Sequence, residues 1–375
     1  MIKEKRLLDE FLRLVQIRCS TRQERKVADL LTKQLTELGC TVQEDNAAKK
    51  LNSDTGNLIA DLKGSIKAPV LMLTAHMDCV EPCENIHPQI VDGIIRSDGS
   101  TILGADDKAG VASILEVLRV LKEDNIPHGD LQIVFTVAEE GGVNGSKNFD
   151  KTLLKADLGY TLDTHGAPGK IVIKAPGQNK IFVKVKGTAA HAGIAPEKGN
   201  NAIMAVAKML TKMPQGRIDE ETTCNVGRIK GGQATNIVAE TVEVDCEARS
   251  RDKVKLDELT KNICDIFERG GRETRTQVDV EVRKAYDPYE ISPNSPVVQI
   301  AAQAAQKINL PVLLEESGGG SDANFFNSYG ILCAVLGVGT TNGHTTAEFI
   351  KEKDLYDTAH LTLQIVKDVA DMGIK

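Results

Sequence analysis

Asp106 and Asp107 stand side by side in GADDKAG, behind a Gly-Ala turn and just ahead of Lys108 and the apolar run VASILEVLRVL. Two adjacent carboxylates at a strand-to-helix corner raise each other's pKa, a cost that a bound divalent cation removes. The chain holds further side chains suited to such a cation. His76 and Asp78 occur in TAHMDCV, Glu139 and Glu140 in VAEEGG, Asp163 in YTLDTHG and His344 in GTTNGHTTAEF. The chemistry they point to is metal-assisted hydrolysis, in which two ions sharing a carboxylate, about 3.5–4 Å apart, clamp a carbonyl and activate water at neutral pH.

Taken singly, each feature is more often ordinary: a His-Asp pair after a core strand, an acid at a helix start, a charged turn before two glycines, a lone loop histidine. Their conjunction carries the reading, because each lies at the end of an apolar strand or in a loop beside one. Asp106 is the candidate bridge, since a carboxylate carries two oxygens with lone pairs aimed apart. His76 and Asp78 share a face on an ideal strand, so Asp78 either accepts from the ring or orients it through the strand-end turn. Of the paired glutamates, Glu140 is assigned to metal. Glu139 is assigned as the general base that takes a proton from water and passes it to the leaving amine. Nitrogen and oxygen ligands of this mix suit zinc, with cobalt or manganese as alternatives.

The elements that must position these groups follow from hydrophobic pattern. Residues 4–39 read as two amphipathic helices broken near Arg18–Thr21. APVLMLTAHMD, DLQIVFTVAEEGG and DLGYTLDTHG are apolar runs of strand length that each end in acids, as strands buried on both faces of a mostly parallel sheet do. Functional side chains collect at the carboxyl ends of such strands. A hairpin in IHPQIVDGIIRSDGSTILGADD returns to the acidic corner, and a helix follows from about Ala109 to Lys122. From about Ala175 the style changes: IFVKVKG alternates strictly, as an antiparallel strand with one wet face does. The order β-α-β-β-α-β over the next stretch is a self-contained α+β module. The expected organisation is therefore an α/β catalytic domain, with a mostly parallel central sheet flanked by helices, over 1–175 and 289–375. The inserted α+β domain takes 176–288.

The inserted module presents His191 in GTAAHAG, Asn236 in GGQATNIV and Arg249 in VDCEARSRD; an arginine suits bidentate grip on a carboxylate. Their types and spacing alone assign no role. SGGGSDANFF, with Gly320 and Ser321, fits a cradle for a substrate backbone better than a phosphate loop, because no GK[ST] follows it.

Composition narrows the partners. A chain of 375 residues with net charge −7, 41% hydrophobic and 26% charged residues and no Trp argues against nucleic acid or an anionic membrane surface. No apolar stretch reaches the length of about 20 residues that spans a bilayer. The N-terminal MIKEKRLLDEFLRLVQI is charged and helix-periodic, unlike a signal peptide, so a cytoplasmic protein is expected. The eight cysteines form no CxxC and read as reduced, mostly buried thiols.

With these motifs in hand the chain resembles the M20 family of co-catalytic metallopeptidases, and within it the peptidase T group of tripeptide aminopeptidases. HMD, GADDKAG, the EE pair, Asp163, GTAAHAG, GGGSDAN and the late histidine carry the likeness, and PQI with its hairpin and ILGADDKAG lie closest to peptidase T. The resemblance implies two zinc ions, one held by His76, Asp106 and Asp163, the other by Glu140, His344 and the bridging Asp106. It implies that Asp78 orients His76 and that Glu139 is the general base. It also implies that the inserted domain is a lid that forms a homodimer, with His191 on the oxyanion and Arg249 and Asn236 on the substrate. Two departures stand out. His191-Ala192-Gly193 replaces the His-Pro-Gly of many relatives, and the chain is shorter than typical peptidase T around Cys79–Pro88 and Gly166–Lys174. The expectation is a dizinc aminopeptidase acting on short peptides. An N-acyl amino-acid deacylase or carboxypeptidase is the rival within the same architecture, and a non-catalytic metal- or peptide-binding protein the rival outside it.

Overall fold

A computed structural model describes residues 1–373; of the expected last segment, 374 and 375 lie outside the described residues. The chain divides into two compact units. One comprises Met1–Lys174, Glu290–Ser317 and the chain from Ser321 on; the other comprises Ala175–Tyr289 with Gly318–Gly320.

The first unit is built on a sheet whose strands run, side by side, Thr41–Glu44, Leu58–Leu62, Leu131–Thr136, Leu71–His76, Leu158–Thr164, Leu332–Gly337 and Lys170–Ala175. The four strands from Leu131–Thr136 to Leu332–Gly337 are mutually parallel. Antiparallel neighbours flank them on both sides. Leu71–His76 and Leu131–Thr136 are buried at every position, which is why they read as mostly apolar runs, each interrupted by one polar residue, rather than alternating ones. The helix Ala105–Glu123 covers Leu71–His76 and Leu158–Thr164, and the helices Glu4–Val15 and Glu352–Asp371 pack on it in turn. Its regular turns begin only after the acidic pair, since Asp106 and Asp107 have non-helical backbone angles and their shared peptide bond is cis. A small three-stranded sheet joins the hairpin Gln89–Val91 and Ile94–Arg96 to Phe349–Lys351.

The second unit is a five-stranded antiparallel sheet in the order Gly216–Arg217, Thr222–Gly231, Thr241–Ser250, Gly177–Lys186, Gln277–Tyr286. Burial alternates along Thr241–Ser250 with period two, so one face is dry. On that face the helices Ala202–Leu210 and Lys253–Thr274 close a core that includes Val183, Val206, Val244, Ile263 and Phe267. The two-residue strand Gly216–Arg217 is too short to leave a pattern in sequence. Gly320 lies against the ring of Tyr286, where a Cβ would come within 2.4 Å, so the glycine is required by close approach.

Among the described residues no helix is long and apolar enough to cross a membrane, and every cysteine is free.

Candidate metal centre

Three parallel strand ends, one helix start and one late loop deliver the candidate ligands of the first unit to one place. His76 ends its strand, buried to 1% exposure. Its Nδ1 lies 3.0 Å from the backbone oxygen of Asp78. A carbonyl oxygen only accepts, so Nδ1 carries the proton and Nε2 presents a lone pair. That lone pair faces Asp106 Oδ1 at 3.0 Å and Asp163 Oδ1 at 3.6 Å. The other oxygen of Asp106 faces His344 Nε2 at 3.2 Å, and Glu140 Oε1 lies 3.1 Å from the same nitrogen. Asp106 thus turns one oxygen to each histidine. Ligand atoms of His76, Asp106 and Glu140 lie within 4.8 Å of one another, as do those of His76, Asp107 and Asp163.

The carboxylate of Asp78 sits behind this cluster. It lies 3.4 Å from Nδ1 of His76, farther than its own carbonyl, so the backbone oxygen is the closer partner of the ring. Asp78 Oδ1 accepts the N–H of Glu139, and Oδ2 accepts the hydroxyl of Thr21 at 2.7 Å and the N–H of Glu140. The turn before the glutamates is bent by Ala138, whose φ of +50° brings both side chains off the strand end.

Electrostatics shows what the cluster lacks. Burial, then the charge of Asp163, pushes the carboxyl pKa of Asp107 and Glu139 well above the carboxylate range. Burial lifts that of Asp163 to about 7 against the pull of His76, and burial also raises Glu140. The hydrogen bonds of Asp106 and Glu140 carry His344 up to about 10. Lone pairs converging on one another, and buried acids that resist ionisation, are the marks of a site short of positive charge. Imidazole nitrogens and carboxylate oxygens are the donors of a zinc-type ion, so the residues present fit divalent metal.

Several residues escaped sequence reasoning. Asp107 is named from sequence only as half of the acidic pair. It is fully buried, and its oxygens accept the backbone N–H groups of His76 and Gly110, so it holds the strand end to the helix. Lys108 is also fully buried: its Nζ donates to the carbonyl of Met77 at 2.5 Å and lies 3.3 Å from Cys79 Sγ. Glu24 is buried and accepts the N–H of Ala138. Glu348 accepts three backbone N–H groups at the acidic corner, and burial lifts its pKa to about 7 against those bonds. Only the long-range fold pairs these groups, and no local spacing announces them.

The remaining candidates are distributed otherwise. Ser321 belongs to the first unit and starts the helix Asp322–Ser328, its N–H bonded to Asn324. His191, Asn236, Arg249 and Gly320 belong to the second. His191 and Asn236 are neighbours there, joined by the N–H of Ala192 to the Asn236 carbonyl at 2.9 Å, and His191 is exposed. Nδ1 of His191 accepts from the N–H groups of Gly193 and Ile194, leaving Nε2 to carry the proton. Arg249 lies on the strand Thr241–Ser250 with Nε and Nη2 bonded to the two oxygens of Glu247. Its fork already grips a carboxylate.

Comparison with known proteins places this geometry. The model of peptidase family M20/M25/M40 matches residues 72–368. The YqjE protein of Bacillus subtilis (strain 168) is 41% identical over 370 residues, covering 99% of this chain and 100% of that one. A tripeptidase from Staphylococcus aureus subsp. aureus Mu50 superposes with a TM-score of 0.95 at 43% identity, covering 99% of this chain and 100% of its own. The aminopeptidase PepT from Bacillus cereus ATCC 10987 gives a TM-score of 0.90 at 44% identity, covering 98% and 99%.

Proposed function

The chain belongs to peptidase family M20/M25/M40 and is a peptidase, and from that premise we propose that it is a cytoplasmic, dinuclear zinc aminopeptidase that removes the N-terminal residue of tripeptide-sized substrates. The observation that carries the reading is the carboxylate of Asp106, with one oxygen 3.0 Å from Nε2 of His76 and the other 3.2 Å from Nε2 of His344. In this reading His76, Asp106 and Asp163 hold one ion, and Asp106, Glu140 and His344 the other. Bound there, the two ions would supply Lewis-acid polarisation of the scissile carbonyl and of the attacking water.

The chain's own groups do the rest. Asp78 takes no ion; it keeps the His76 ring and the glutamate turn in fixed relation through the bonds described above. Glu139 accepts a proton from the attacking water at its carboxylate and delivers it to the nitrogen of the leaving amine. Its place beside Glu140, with its N–H fixed by Asp78, supports this role. His191, Asn236, Arg249, Gly320 and Ser321 enter the proposal as substrate contacts, with a homodimer formed through the second unit. For Arg249, a substrate carboxylate has to compete with Glu247. The likeness to a tripeptidase and an aminopeptidase supports a short peptide with a free amine over an acylated amino acid.

The test is hydrolysis of Ala-Ala-Ala beside its N-acetylated form by the zinc-loaded protein. Release of N-terminal alanine from the free peptide alone is expected. Cleavage of the acetylated form, or of acetyl-amino acids, would move the chain to the deacylases, and release from the other end to the carboxypeptidases.

A further inference from the structure

Four residues beyond His344 the same loop carries Glu348, 1% exposed. Both of its oxygens are taken by backbone donors. Oε2 accepts the N–H groups of Leu103 at 2.8 Å and Gly104 at 2.7 Å, and Oε1 accepts that of Asp106 at 3.0 Å. All three donors belong to the corner that carries the candidate bridging carboxylate. Three N–H donors on one carboxylate hold it firmly, and removing the acceptor leaves buried N–H groups unpaired.

The loop that carries Glu348 is itself closed. Thr341 and Phe349 exchange reciprocal backbone bonds of 3.0 Å, and the N–H of Glu348 returns to the Thr345 carbonyl. His344 stands within this closed loop, with φ of +63°. Glu348 is therefore a direct tie between the segment bearing His344 and the segment bearing Asp106. The other side of the cluster is held differently. His76 is fixed by its own strand, by the Asp78 carbonyl and by Asp107, which is anchored in turn to the helix at Gly110.

We propose that Glu348 is a positioning residue that sets the separation of Asp106 and His344, and so governs the affinity of the ion held by Asp106, Glu140 and His344 more strongly than that of the ion Asp106 shares with His76 and Asp163, whose other ligands are held independently of Glu348. The inference rests on the two-ion reading above. Glutamine at position 348 keeps the volume but can accept at only one of its two terminal atoms, so part of the clamp is lost without a cavity.

The experiment is a titration of the metal-free protein with Zn2+ against a competing chelator, and with Co2+ followed by its visible absorption, for wild type, Glu348→Gln and Glu348→Ala. Wild type is expected to bind two ions. In Glu348→Gln one ion should weaken about 10-fold with a change in its cobalt spectrum, while the other weakens far less; in Glu348→Ala the stronger effect should approach about 100-fold. Unchanged affinities for both ions, or equal weakening of both, would overturn the inference while leaving the two-ion reading intact. A wild-type protein that binds fewer than two ions would overturn that reading, and the inference with it. Amide exchange in the metal-free wild type gives a measurement independent of any variant. Slow exchange at Leu103, Gly104 and Asp106 supports the clamp, and fast exchange at these three would sink it.

Discussion

Oδ1 of Asp78 accepts the backbone N–H of Glu139 at 3.0 Å. The bond reaches across two parallel strand ends, and the same carboxylate lies 3.4 Å from the ring of His76. The proposed base and one proposed metal ligand are thus registered to each other through a single buried acid. Chemistry at Glu139 can therefore be probed without disturbing the backbone that holds it, because the bond uses its N–H and not its side chain.

Replacing Glu139 with glutamine should lower kcat by about 10²- to 10⁴-fold, the range for loss of a general base. Zinc content by elemental analysis should stay at two equivalents, since Glu139 is assigned no ion. Full turnover in this variant would remove it from the role.

His344→Ala should release one zinc equivalent and depress peptide hydrolysis at least 10²-fold. The side chain of His344 is 56% exposed, so unfolding of the metal-free variant in urea should match wild type within about 0.5 kcal/mol. An unchanged zinc count would exclude His344 from the ligand set.

Gly110→Ala tests how tightly the helix is seated under the site. A methyl there would meet the Leu162 carbonyl oxygen at 2.5 Å and Asp107 Oδ1 at 2.6 Å. Overpacking of this kind costs about 1–3 kcal/mol, and the atoms displaced adjoin Asp163 and hold His76. Urea denaturation should register the loss, with weaker zinc binding alongside. A variant as stable as wild type would mean that the helix yields freely.

Glu24 gives a pH signature outside the ligand set. Burial, then the charge of Asp78, raises its pKa from 4.5 to about 7. Between those values the folded chain keeps a proton that the unfolded chain releases. The stability this group contributes is complete below pH 4.5 and is lost as pH rises through 7. Glu24→Gln should therefore gain stability relative to wild type between pH 5 and pH 8, measured by urea denaturation without metal. Parallel curves for the two proteins would refute the assignment.

The α/β sheet was legible because Leu71–His76 and Leu131–Thr136 are buried on both faces and so are mostly apolar, with only Thr74 and Gln132 polar before their ends. Polar residues at those ends, His76 and the glutamates, were conspicuous for the same reason. Lys108, Glu24 and Glu348 were not. Each is a charged residue made tolerable inside by partners distant in sequence, and a charge in a sequence reads by default as solvated. Composition likewise gave no warning that Arg249 would meet Glu247 two positions earlier on its own strand, where alternate residues share a face.

Asp106 and Glu348 lie 242 positions apart along the chain. A ribosome adding about 5–20 residues per second needs roughly ten to fifty seconds to cover that distance. Throughout that interval the nascent protein displays its acidic corner without the clamp and without His344. Full assembly of the centre is thereby deferred to the last stage of translation, after the whole second unit has emerged.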